Sequence, residues 1–355
     1  MRKIKLGELF CGPGGIAKGA HLAASRVKGI ELSHAWAVDN DPDACETYIK
    51  NISGANCDSV FCEDIRKLQF DNLKRVSKSI DGLAFGFPCN DFSLVGQKKG
   101  MSGDFGPLYK YGVKALETFN PDFFVAENVG GILSSNSGSA IEMILKELEA
   151  AGYNITPHLY KFEEYGVPQS RHRLIIVGFK KEMNIDFRPP KPTHVDRYVT
   201  VMQALENEPI SDSAYNHERT SQSEKVIKRL SHIKPGENAW NANLPPNLKL
   251  NVKGAKLSQI YKRLHPDKPS YTITGSGGGG THVYHWRENR ALTNRERARL
   301  QTFPDRYKFL GGKESVRRQI GMAVPPKGAA VIFEAVFKSL LGDEYRSIDP
   351  NVVFS

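Results

Sequence analysis

At 355 residues the chain is long enough to bury a sizeable core and to carry one large domain with a smaller one beside it. Its residues are 40% hydrophobic and 25% charged, with no apolar run near the roughly 18 residues of a membrane span and no secretory stretch after Met1, so no membrane-spanning or secreted class is indicated and the cytoplasm is the expected compartment. A net charge of +10 points to a polyanionic partner, while five cysteines at irregular spacing (Cys11, Cys45, Cys57, Cys62, Cys89), with no Cys-x-x-Cys pair and no Cys/His cluster, indicate neither a disulfide framework nor a metal site.

Through the first half, short β-type runs alternate with helical patterns, which predicts an α/β domain built on a Rossmann-like, mostly parallel sheet. Strands are expected over 4–10, 34–38, 59–62, 82–85, 123–126 and 174–178. The first ends in Glu8-Leu9-Phe10-Cys11-Gly12-Pro13-Gly14-Gly15, where glycines let a ligand approach the backbone and the following helix offers unpaired N–H groups. Asp39 closes the second strand, at about the 20-residue interval at which an acidic side chain takes a ribose hydroxyl pair. Taken alone, the turn fits S-adenosylmethionine, a dinucleotide or a purely structural glycine turn. Asp41 followed by Pro42 reads as a helix cap. Asp64, after the third strand, is a candidate for an adenine amino group or another helix cap. The fourth strand leads into Gly86-Phe87-Pro88-Cys89-Asn90 at the carboxyl edge of the sheet, where such folds place their ligands, so Cys89 stands where a reagent would. The fifth closes on Glu127-Asn128-Val129, Ser139 to Glu142 reads as a capping box, and Gln169-Ser170-Arg171-His172-Arg173 leads into the sixth. A thiol, a carboxyl group and two guanidinium groups are thereby expected on one rim.

After Phe179 the sequence turns proline-rich, polar and basic, which marks a second domain. From Lys225 to Arg263 there are nine basic residues against the single acid Glu237. Regular structure is expected again from Thr293 to Gln301, behind a capping box with Glu296, and in an apolar helix over 328–341 that packs back on the first domain.

Together these motifs resemble those of the bacterial DNA cytosine-C5 methyltransferases of restriction-modification systems over nearly the whole chain. Phe10-Cys11-Gly12-Pro13-Gly14-Gly15 resembles the cofactor loop, Pro88-Cys89 the nucleophile loop, Glu127-Asn128-Val129 the acid motif and Gln169-x-Arg171-x-Arg173 the base-contacting arginines. Arg263-Leu264 with Pro269 to Ile273, Leu300 to Asp305, and Gln319 to Pro326 resemble the late motifs. Two positions depart from the pattern: Asn90 stands where the family usually has Gln, and Met322 where it usually has Asn.

The resemblance implies an S-adenosylmethionine-dependent catalytic domain over 1–184 plus 318–355, a smaller, irregular target-recognition domain over 185–289 and a hinge over 290–317. It implies that Cys89 attacks C6 of a flipped cytosine, Glu127 donates to N3, Arg173 holds O2, and Arg171 supports the loop or a phosphate. Cofactor contacts are expected from Phe10, Gly12, Pro13, Gly14, Gly15, Asp39, Asn40, Asp64, Ile65, Pro88, Leu108, Met322 and Ala323. Double-stranded DNA is the expected partner, met by Ser93, Lys98 and Lys99 on a glycine-rich lid over 93–106 and by Lys249, Lys253, Lys256 and Arg263. The expected protein is a monomer without a metal, with a cognate restriction endonuclease acting separately. A nicotinamide dehydrogenase leaves Cys89, Glu127 and the basic second domain without a joint role, a catalytically silent DNA-binding relative need not keep them, and an RNA substrate fits the long region between Phe179 and Arg263 less well than duplex DNA does.

Overall fold

The structure, a computed structural model, describes residues 1–87, 108–133, 139–251, 257–275, 277–278 and 280–353. Of the expected site residues, Pro88, Cys89, Ser93, Lys98, Lys99, Lys253 and Lys256 lie outside the described residues. The chain divides into two compact units, one of Met1–Phe162, His172–Pro192 and Pro326–Ser355, the other of Glu163–Arg171 and Thr193–Pro325.

In the first unit, β1 (Arg2–Leu9), β2 (Ile30–Asp39), β3 (Val60–Cys62), β4 (Gly82–Gly86), β5 (Phe123–Val129), β6 (Tyr153–Lys161) and β7 (His172–Lys180) form one sheet in the order β3-β2-β1-β4-β5-β7-β6. The pairs that β7 makes with β5 and β6 are antiparallel, and the other pairs are parallel. The central strands are buried on both faces and therefore read as apolar runs in the sequence: Leu83, Ala84 and Phe85 of β4 and Leu174 to Val177 of β7 are all within the core. The sequence signals miss β6, which carries Pro157. Its place at the sheet edge explains how a residue without an N–H is tolerated there.

The strands are joined by α1 (Gly15–Ala24), α2 (Pro42–Asn51), α3 (Phe70–Val76), α4 (Tyr109–Phe119) and α5 (Ser139–Ala150). Helix α2 starts as its sequence dictates: the Asp41 side chain accepts from the N–H groups of Asp43 and Ala44, with Pro42 in the first turn. Chain order reverses across β1 and β4, the switch point at which open sheets of this kind bind ligands beyond the strand ends. The glycine turn leaves the end of β1, and the segment bearing Cys89 begins just past β4.

The second unit is sparse in regular structure, with α6 (Val201–Glu206), α7 (Glu224–Leu230), α8 (Asn294–Leu300) and α9 (Lys313–Met322). The capping box of α8 is complete, Glu296 N–H donating to Thr293 Oγ1 at 3.1 Å and Thr293 N–H to Glu296 Oε2 at 2.7 Å. An apolar cluster of Leu264, Ile273, Trp286, Phe303, Tyr307, Phe309 and Ile320 holds the unit together.

The chain returns to the first unit in α10 (Pro326–Leu341), whose Phe333 and Phe337 meet Phe123 of β5 edge-on. Close approach to α1 depends on Gly19, since a Cβ there would lie 2.4 Å from Ala329 Cβ and 2.7 Å from Pro326 O. The stretch Lys313–Leu341 is long and apolar enough to pass for a membrane span by length and composition, but its most apolar window is 78% buried in the fold, as a core helix is.

Candidate active site at the sheet switch point

The glycine turn is held open by backbone geometry and by one carboxylate. Phe10, Gly12 and Gly14 all have positive φ, at 56°, 52° and 88°, so the turn coils tightly before Gly15 begins α1. A Cβ built on Gly12 meets nothing within 4 Å, which leaves open space over the turn. Asp39, at the end of β2, accepts the Gly12 N–H on Oδ2 at 2.8 Å and the Asp41 N–H on Oδ1 at 2.9 Å. Burial raises the Asp39 carboxyl above its ordinary range, and these two N–H groups oppose the rise. The carboxylate thus ties β1, β2 and α2 together beside the open turn. Asn40, next to it, is exposed. Phe10, Ile65 and Leu108 belong to one apolar cluster with Leu9, Val38, Phe85 and Phe87, while Pro13 and Gly15 are buried in the turn itself.

Beneath the turn lies a group that the sequence reading does not assign. Glu8 of β1 is 1% exposed, and burial pushes its carboxyl up to about 8, with Tyr48 and the Ala17 N–H offsetting only part of the cost. Tyr48 Oη stands 3.1 Å from Glu8 Oε2 and 3.4 Å from His34 Nδ1, and His34 Nε2 stands 3.0 Å from Ser59 Oγ. His34 is pulled down to about 4 by burial and is neutral at neutral pH. Tyr48 donates its hydroxyl hydrogen to Glu8 Oε2, and the neutral His34 ring links Tyr48 to Ser59. Only pairing partners on α2 and β2 reveal this relay, which is why the residue pattern does not announce it.

On the other side of the switch point, β4 and β5 pair so that Gly86 lies opposite Glu127. A Cβ at Gly86 would be 3.1 Å from Glu127 Oε2, so the small residue leaves room for the carboxyl group. Glu127 Oε1 is 2.7 Å from Arg173 Nε across the β5–β7 pair, though the N–H is not aligned on the oxygen. Arg173 Nη1 donates to His172 O at 2.8 Å. Asn128 is buried and donates from Nδ2 to Phe87 O at 3.2 Å, which fixes the last described residue before Pro88 to β5.

Several expected contacts are placed elsewhere. Arg171 donates to Ile273 O at 3.1 Å and Gly321 O at 3.0 Å, with Met322 O at 3.5 Å, so its guanidinium braces the backbone of the second unit. Arg263, expected to meet DNA, is turned inward: its guanidinium donates to His285 O, Leu230 O, Ile233 O, Asn289 Oδ1 and Glu288 O. The neighbouring basic Arg229 is likewise buried, donating to Leu248 O and lying over the Tyr261 ring. Charge counting treats every basic residue as solvated, and here two of them are internal struts. Lys249 is exposed. Asp64 is gripped by Arg66, whose backbone and guanidinium N–H groups reach it at 2.5 to 3.0 Å, and the pairing lowers its carboxyl. Met322 is 71% exposed at the end of α9, whereas Ala323 is buried in the second unit's cluster.

Residues 4–338 match the family described as C-5 cytosine-specific DNA methylase. The sequence is 56% identical to the Type II methyltransferase M.BbvI of Brevibacillus brevis, over 98% of this chain and 94% of that one. It is 40% identical to the Type II methyltransferase M.NgoFVII of Neisseria gonorrhoeae, over 98% and 90%. Among solved structures, one described as a DNA modification methyltransferase encoded within an E. coli prophage superposes with a TM-score of 0.73 at 24% identity, covering 95% of this chain and 99% of that one. At that identity the likeness shows a shared fold.

Proposed function

The chain belongs to the C-5 cytosine-specific DNA methylases, and on that premise we propose that it methylates one cytosine of a specific duplex sequence with Cys89 as nucleophile and S-adenosylmethionine as methyl donor. It is a DNA cytosine-C5 methyltransferase of the restriction-modification type. The observation that carries the residue assignments is the convergence at the switch point. The open glycine turn pinned by Asp39 lies at the end of β1, and the segment entering Pro88-Cys89 leaves the adjacent β4 beside Glu127 and Arg173.

The turn fits the methyl donor: open space over Gly12, an α1 N-terminus behind it, and a carboxylate at the end of β2 to take ribose hydroxyls. Phe10, Gly12, Pro13, Gly14, Gly15, Asp39, Asn40, Ile65, Pro88 and Leu108 would hold it, and Asp64 would join them once the exposed Arg66 swings away, a pairing that is cheap to break at the surface. Met322 and Ala323 remain candidates through their backbone. When bound, the sulfonium supplies an electrophilic methyl group.

Cytosine C5 is a poor nucleophile, so the protein activates it covalently. The Cys89 thiolate adds to C6, the electron pair of the C5–C6 bond moves to C5, and a proton from Glu127 at N3 offsets the charge that builds on the ring. Arg173 holds O2. After methyl transfer, loss of the C5 proton restores the double bond and expels the Cys89 thiolate. C6 is out of reach in a stacked duplex, so the base is flipped out at a cost of a few kcal/mol. Of the other thiols, burial raises Cys11 and Cys45 far above the range in which a thiolate forms. Outside the catalytic lobe, expected over 1–184 and 318–355, the block 185–289 would read the duplex, and Ser93, Lys98, Lys99, Lys249, Lys253 and Lys256 would meet its backbone. The working unit would be a cytoplasmic monomer, with any cognate endonuclease acting on its own.

The test is transfer of a labelled methyl group to duplex DNA, to tRNA and to no nucleic acid, with wild type and Cys89→Ala. The reading requires transfer to duplex cytosine by wild type and none by the variant; equal turnover by the variant removes Cys89 from the chemistry.

A further inference from the structure

The second unit holds a guanidinium that its own fold leaves unsatisfied. Arg297 of α8 is 1% exposed, yet its Nε and Nη1 have no hydrogen-bond partner among the described residues. Other buried arginines of that unit are treated differently. Arg295 donates to Tyr215 O, Pro304 O and Tyr307 O, and Arg171 and Arg263 are each bonded to several carbonyls. Each of these arginines bridges its surroundings through several carbonyls, whereas Arg297 leaves two of its nitrogens without an acceptor among the described residues. An uncompensated buried charge is strongly unfavourable, so the arrangement lacks an acceptor.

The surrounding groups sharpen the imbalance. Arg317 of α9 adds a second positive charge, and its own Nε also lacks a partner. His282 faces both guanidiniums, and burial beside them pulls it down to about 4, which keeps it neutral. Tyr271 and Tyr284 are held as neutral phenols by burial. Among the described residues, the carboxylate facing Arg297 is Glu296, and it is occupied by Arg290 at 2.7 and 2.8 Å. Glu314 reaches Arg317 only from an exposed position, at 3.5 Å. Gly277 packs against Arg317. Arg317 Nη2 donates to Gly277 O at 3.0 Å, and a Cβ on Gly277 would fall 2.5 Å from Arg317 Nε. Gly278 and Gly280 follow with positive φ, and Gly278 has open space where a Cβ would stand.

We infer that Arg297 and Arg317, beside Gly277 and Gly278, form a seat for a backbone phosphate of the duplex. A phosphate presents several acceptor oxygens that match a guanidinium's forked donors, and glycine backbone lets it come close. The inference rests on the reading that duplex DNA is the substrate, which supplies such phosphates in a row. It gives the glycine-rich segment and Arg297 a joint role in setting the register of the protein on DNA.

The experiment measures duplex affinity across a series of salt concentrations, together with the melting temperature of the free protein, for wild type, R297M and R297K. R297M is expected to bind the duplex about tenfold more weakly, with the slope of log affinity against log salt reduced by about 0.9, the value for one lost phosphate contact. Its free-state melting temperature should not fall, because an unpaired buried charge has been removed. R297K should keep the slope and lose part of the affinity. Wild-type affinity and slope in R297M overturn the inference, as does a lowered melting temperature with an unchanged slope. If R297M does not fold, R297K decides, since undiminished affinity there also overturns it. Inorganic phosphate that raises the melting temperature of wild type but not of R297M, with the DNA slope unchanged, assigns the seat to a free anion instead. Failure of wild type to methylate any duplex would sink the substrate reading and not this contact alone, so the two failures are told apart.

Discussion

Asp39 uses both oxygens of one carboxylate on backbone N–H groups, one of them in the glycine turn, and this makes it a positioning group even before any ribose is present. Asp39→Ala therefore removes two charge-assisted hydrogen bonds along with the proposed ribose acceptor. Affinity for S-adenosylmethionine is expected to fall by roughly 1.5 to 3 kcal/mol, checked by calorimetry; an unchanged affinity would place the ribose elsewhere. Glu8 gives a second prediction, in pH. Its ordinary carboxyl value is 4.5 and burial raises it to about 8, so over that interval the folded protein holds a proton that the unfolded chain releases. The stability it contributes is fully present below about 4.5 and is lost as pH rises through about 8. Glu8→Gln, which keeps the shape without the charge, should melt lower than wild type by less, or higher by more, as pH rises from 6 to about 9. Parallel melting curves across that range would show that Glu8 is not protonated in the fold. At this scale the strand-end place of Asp39 is legible in the sequence, because an acid closing the strand after a glycine turn has a recognisable spacing. Glu8 stays hidden within a motif, and Arg229 and Arg263 mislead because side-chain charge says nothing about which way it points.

At the scale of elements, local signals carried most of the first unit. Asp41 with Pro42 marked the start of α2, Thr293 with Glu296 that of α8, and the apolar runs marked the central strands. Strand β6 gives no such signal, since it contains Pro157, and only its place at the sheet edge makes that residue acceptable. Helix α6 shows no period in the sequence because it is only six residues long, although Thr200 and Gln203 form a complete capping box. The packing of α10 on α1 supplies a prediction of stability. In Gly19→Ala the new methyl group would sit 2.4 Å from Ala329 Cβ and 2.7 Å from Pro326 O, so the helices must separate. The expected loss is about 1 to 3 kcal/mol, seen as a lower denaturation midpoint. A midpoint equal to wild type would mean that the two helices do not approach as closely as described.

For the whole molecule, the proposed division of labour follows from what each region could reach. A catalytic lobe checks the one extruded cytosine, while neighbouring base pairs remain stacked and must be read from the grooves by another surface. Exchanging residues 185–289 for the same block of a relative with a different target is expected to transfer sequence choice, read by bisulfite sequencing of DNA methylated by the chimera. A pattern that follows the parent of the catalytic lobe would place the reader elsewhere. The central claim is covalent activation of cytosine by Cys89, and one measurement meets it directly. Duplex DNA carrying 5-fluorocytosine at the target is incubated with the protein and S-adenosylmethionine, and the complex is digested and mapped by mass spectrometry. Fluorine blocks the final proton loss, so the account predicts a stable adduct on the peptide containing Cys89 and none with Cys89→Ala; an adduct on Cys11, Cys45, Cys57 or Cys62, or one that survives in the variant, would contradict it.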